Sequence, residues 1–94
     1  PENNTGAGLR ERMIVMLHDM IKHVIKLKPS DVEHFVHEAE QCDFDIDISY
    51  NRYIVDAKSI LGVFGLDLSR PLTVEYYGYN PDFESYVRNL AVAC

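Results

Sequence analysis

A chain of 94 residues is enough for one domain around one core, and a domain of that size buries only about 60–65% of its extended surface on folding, leaving little room for a deep enzyme pocket. Nine basic residues against fifteen acidic ones give a formal charge of -6, which repels phosphate backbones and anionic lipid and argues against a nucleic acid or a membrane surface as partner. An apolar fraction of 47%, with four Phe and six Tyr, fills a two-layer interior and excludes disorder throughout.

Residues 1–8, PENNTGAG, have neither the apolar content nor the periodicity for fixed structure and are expected to be a mobile tail. From Leu9 to Leu17 the pattern is ambiguous. Leu9, Met13, Met16 and Leu17 share a helical face, whereas Met13–Leu17 equally suits an edge-pairing strand, and a short helix is the preferred reading. This extension, residues 1–19, is too apolar at 13–17 to stay solvated, so residues 9–17 are expected to pack on the domain or to mediate a homodimer. Met13–Leu17 is far shorter than the roughly 20 residues that span a bilayer, and no charged leader with a cleavage site is present, so a cytoplasmic location is expected.

The domain itself is expected over residues 20–94. Met20–Leu27 alternates, with Ile21, His23, Ile25 and Leu27 on one side, and reads as the first strand. Pro29 stops the ladder, and Ser30 with Glu33 three residues on predicts a capping box at a helix start. Val32, Phe35, Val36 and Ala39 make the apolar stripe of that helix, which ends near Gln41. From Asp43 the period returns to two, with Phe44, Ile46 and Ile48 inward. Asn51 then supplies a tight turn into a strand from Tyr53 to Ala57, with Val55 and Ala57 inward.

Ser59 caps a short helical segment, SILGVFGL, whose Ile60, Leu61, Val63, Phe64 and Leu66 are apolar on too many sides for all of them to be buried. Leu72, Val74 and Tyr76 mark the inward face of the last strand, closed by Gly78, and Asn80 followed by Pro81 opens a final helix with Phe83, Val87 and Leu90 as its stripe. Strand, helix, strand, strand, short helix, strand, helix is the order of an α+β two-layer domain.

No chemical motif emerges from that scaffold. Asp43, Asp45 and Asp47 resemble the start of a calcium loop but are interleaved by Phe44 and Ile46, with no central glycine or closing glutamate, so a solvated strand face is the better reading. Among His18, His23, His34 and His37, one pair lies three apart, and no third ligand has zinc spacing. Gly62 and Gly65 follow Ser59 without the spacing of a phosphate cradle. Cys42 and Cys94 form no redox or metal pattern, and nothing requires a disulfide between them. No cofactor is expected, and no enzyme activity.

The stretch from Asp43 to Leu68, DFDIDISYNRYIVDAKSILGVFGLDL, resembles the central part of the histidine-containing phosphocarrier protein HPr of the bacterial sugar phosphotransferase system. In that family a hairpin runs into a lysine, a serine, two apolar residues and a glycine, here Lys58, Ser59, Ile60, Leu61 and Gly62. Weaker similarity extends over about residues 20–93. The resemblance implies an open-faced β-sandwich, a four-stranded antiparallel sheet covered on one face by three helices.

The family's active histidine opens its first long helix in the order histidine, any residue, arginine, proline. Here Lys26, Leu27, Lys28 and Pro29 stand there, and an ammonium of reference pKa about 10.4 has no lone pair for phosphoryl attack at neutral pH. The resemblance therefore implies a non-catalytic protein-binding or regulatory module. Its implied partner surface is Lys28 and Pro29 at the first helix with Ser59, Ile60, Leu61, Val63 and Phe64 at the second, and Ser59 matches the family's regulatory phosphorylation site. The alternatives are a phosphocarrier in which His34 or His37 accepts phosphate, and a small metal- or ligand-binding domain.

Overall fold

The computed structural model describes residues 20–92. The extension expected to form a helix or a dimer contact over 9–17, and Cys94, lie outside them. The elements run β1 (Met20–Ile25), α1 (Val32–Glu40), β2 (Ile46–Tyr50), β3 (Tyr53–Asp56), α2 (Ile60–Phe64), β4 (Leu72–Tyr77) and α3 (Pro81–Leu90), with a 3-10 turn, Pro29–Asp31, leading into α1. The strands form one antiparallel sheet in the order β1-β4-β2-β3. The helices cover one of its faces, so the fold is the expected α+β open-faced β-sandwich. None of these helices is long and apolar enough to cross a membrane.

The two periods of the sequence meet in one core. Ile25, Ile46, Ile48, Leu72, Val74 and Tyr76 from the sheet bury against Val32, Phe35, Val36 and Ala39 of α1 and Phe83 and Val87 of α3. A fully buried aliphatic or aromatic side chain of this kind contributes about 1.5–3 kcal/mol relative to solvent exposure. Leu27, just past the end of β1, is buried as the alternation predicts, although the strand stops at Ile25.

The start of the first helix differs from expectation. Ser30 and Glu33 form no capping box. Pro29 instead opens the 3-10 turn, Asp31 N–H donates to Lys28 O at 2.8 Å, and the Asp31 carboxylate accepts from Lys28 N–H at 3.1 Å. The acceptor residue is thus Asp31, two positions earlier than Glu33, because Pro29 fixes its own φ and starts the turn two residues sooner. At α3 the expectation holds: Asn80 Oδ1 accepts from Asp82 and Phe83 N–H at 3.0 and 3.1 Å.

Asn51, at φ 57, makes the hairpin turn between β2 and β3. Gly78 ends β4 at φ 154, with the Phe44 ring so close that a Cβ there would lie 2.5 Å from Phe44 Cδ1. That ring stacks on Tyr76, centroids 5.6 Å apart. The chain after α3 returns to β1: Lys26 N–H donates to Leu90 O at 3.1 Å, Val92 N–H donates to Val24 O at 3.0 Å, and Ile25 bridges Ala91. The last described residues therefore lie along the outer edge of β1 from Val24 to Lys26.

Candidate functional site

Three places carry polar chemistry or exposed apolar surface. The first is α2. Ser59 adopts an extended conformation before the helix, and its Oγ accepts from Gly62 N–H at 3.0 Å, which satisfies one of the free amides of the first turn. A helix of five residues presents two sides, and its apolar side chains divide between them. Val63 is completely buried and Leu66 almost so, whereas Ile60 is exposed, Leu61 is 82% exposed and Phe64 is 49% exposed. Of the residues expected to meet a partner, Val63 therefore belongs to the core, held inward because Gly62 lies against the Val55 side chain and fixes the helix on the sheet. Ile60, Leu61 and Phe64 form the outward surface.

The second place is the start of α1. Lys28 and Pro29 line a shallow depression of about 610 Å³ together with Lys26, Leu68, Ser69 and Leu90. None of Ile60, Leu61 and Phe64 lines it, so the two halves of the expected partner surface are separate features. Lys26 donates from Nζ to Ser69 O at 2.7 Å. Ser69 in turn donates from Oγ and from N–H to Asp67 Oδ1, at 2.6 and 3.1 Å. Those two bonds, with the Arg70 and Lys26 charges beside them, hold the Asp67 carboxyl below the ordinary carboxylate range. The ammonium is thereby tied to the loop 67–70.

The third is a buried polar cluster. Glu84, on α3 and 7% exposed, accepts from Tyr76 OH on Oε1 at 2.6 Å and lies 2.7 Å from His23 Nε2 on Oε2, with Arg88 Nε at 3.5 Å. Burial pushes the Glu84 pKa up, but the bonds from Tyr76 and His23 and the nearby Arg88 charge outweigh it and leave the carboxyl below its ordinary value. Burial and the Glu84 bond raise the Tyr76 hydroxyl far above its ordinary range, so it stays a donor at every ordinary pH. His23 is thus inward, as the alternation predicts, and paired. Glu84 was not anticipated. It follows Phe83 on the flank of the buried stripe, which is the one signal that could have marked it.

The remaining candidates are dispersed. His34 Nε2 lies 3.3 Å from Glu38, and its ring sits 4.9 Å from that of Tyr86. Burial, with Asp31 and Glu38 nearby, pushes the Tyr86 hydroxyl up to about 12. His37 is exposed on α1. Cys42 is buried and unpaired, its thiol raised by burial against the opposing Lys58 charge. Among the described residues no group of three His, Cys, Asp or Glu side chains is placed to hold a metal ion.

This fold has counterparts among solved structures. The crystal structure of the phosphocarrier protein HPr from Bacillus anthracis str. Ames aligns with a TM-score of 0.55 at 24% identity, covering 76% of this chain and 94% of that chain. The fold is that of HPr. HPr-C-His from Thermoanaerobacter tengcongensis aligns with a TM-score of 0.53 at 25% identity, covering 73% of this chain and 82% of that chain. At these identities the likeness to HPr is one of fold. No protein-family model matches the chain, and no curated protein does.

Proposed function

We propose that this chain is an HPr-like protein-binding module that works by docking other proteins through the outer face of α2, without catalysing a reaction itself. One observation carries the reading: Ile60, Leu61 and Phe64 stand exposed on a five-residue helix, a concentration of apolar surface that includes an aromatic. Lys28 and Pro29, at the depression beside α1, supply a second and more polar contact. Ser59 is a candidate regulatory site, because a phosphate there adds about -1.5 to -2 charges beside this patch, favouring basic partners and repelling acidic ones. The test is affinity capture with wild type, Leu61→Asp and Ser59→Ala. Partners retained by wild type and lost by Leu61→Asp support the reading, and identical sets from both sink it.

A second reading is a phosphocarrier within a sugar phosphotransferase system. It is favoured by the solved structures of similar fold, which include a phosphocarrier protein HPr. It requires an acceptor histidine other than the position held by Lys26. Intact mass after incubation with a phosphorylated donor protein decides it: an added phosphoryl group lost in His34→Gln or His37→Gln supports carriage, and unchanged wild-type mass removes it.

A further inference from the structure

The sheet's two outer edges are finished differently. Along β1 the chain's own residues 90–92 occupy part of the edge, whereas β3, the outermost strand on the other side, has no strand beyond it among the described residues. In an antiparallel pair alternate residues turn their N–H and C=O toward the neighbour. Ala57 N–H donates to Ile46 O at 2.9 Å, so Ala57 and Val55 face β2, and the intervening Ile54 and Asp56 turn their backbone groups outward. Asp56 O is taken by Ser59 N–H at 3.0 Å. Ile54 N–H, Ile54 C=O and Asp56 N–H have no hydrogen-bond partner among the described residues.

The side chains add a charge pattern. Lys22, Glu75, Asp47 and Asp56 are cross-strand neighbours in one row across the open face. Lys22 lies 3.7 Å from Glu75, but Asp47 and Asp56 follow as direct neighbours of like charge, an arrangement that costs stability unless a cation joins the row. Two residues before the 65% exposed Ile54 comes Arg52, exposed at the hairpin turn. In sequence Arg52 and Asp56 stand two residues on either side of the exposed Ile54, so an antiparallel register that sets Ile54 opposite Ile54 sets Arg52 opposite Asp56.

We infer that the β3 edge binds a second copy of this chain, joining two sheets across a 2-fold axis at Ile54. Ile54 exchanges its outward backbone bonds with Ile54 of the second copy. Arg52 of each copy lies beside Asp56 of the other, extending both acidic rows with a cation. An isologous contact of this kind uses the same patch twice, so each added bond and ion pair occurs in duplicate.

The test is sedimentation of the full chain over a range of concentrations, with Arg52→Asp, Asp56→Arg and the double exchange R52D/D56R. Wild type should dimerise. Each single variant places like charges at both ends of the contact and should weaken dimerisation by about tenfold or more, and the double exchange should restore it. Exchange of the Ile54 and Asp56 amides should slow as dimer forms, and Ile54→Pro, which removes an outward N–H on an edge strand, should abolish dimerisation while leaving the circular dichroism spectrum unchanged. A chain that stays monomeric, a dimer insensitive to all these variants, or a double exchange that fails to restore association overturns the inference.

Discussion

Replacing Tyr76 with Phe removes a single oxygen from the interior. The hydroxyl donates to Glu84 at 2.6 Å from a ring that is 2% exposed, and the ring keeps its packing against Phe44 and Phe83 in the variant. A hydrogen bond to a charged acceptor contributes about 1.5–3 kcal/mol. For a domain of this size 1 kcal/mol corresponds to about 4–8 °C, so the Tm at neutral pH should fall by about 6–24 °C. The acceptor's charge makes the effect depend on pH. The folded-state pKa of Glu84 is depressed by its partners, so its stabilisation is complete above the unfolded-state value and is lost as pH falls through the folded one. Urea unfolding of wild type and Tyr76→Phe should show a gap in stability at pH 7 that narrows on acidification below about pH 4. Equal midpoints at neutral pH, or a gap unchanged in acid, would refute the assignment of a charged, hydrogen-bonded Glu84.

Gly78→Ala should destabilise the domain by about 1–3 kcal/mol in urea unfolding, because φ 154 and the Phe44 ring both oppose a Cβ. Ser59→Ala should cost about 1 kcal/mol through loss of the Gly62 cap, measured the same way. Leu61→Asp should leave stability within about 0.5 kcal/mol, since the side chain is 82% exposed; a larger loss would place Leu61 in the core. Cys42 should resist a thiol reagent in the folded protein and react once urea unfolds it, because its thiol is buried and raised.

Much of the fold was legible because its signals are local. The alternation through Ile46 and Ile48, the stripe Val32, Phe35, Val36 and Ala39, and the pair Asn80 and Pro81 each lie within one element, and each fixes a face or an end. What escaped depends on longer range or finer phase. His23 and Glu84 are 61 residues apart and meet only because β1 and α3 are packed together by the finished fold. Val63 was counted with a surface because five residues of helix are too few to set a phase when almost all are apolar. The displaced cap at Asp31 reflects a competition between two acidic residues that Pro29 decides by geometry.

The return of residues 90–92 to β1 limits how far the sheet can grow. A strand approaching the Val24–Lys26 end must first displace residues 90–92, together with the Leu90 and Val92 hydrogen bonds that hold them. Continuous fibre formation through sheet edges requires two reactive ends on every unit. Here residues 90–92 fill the Val24–Lys26 half of one end, so pairing there meets a ladder that is already occupied.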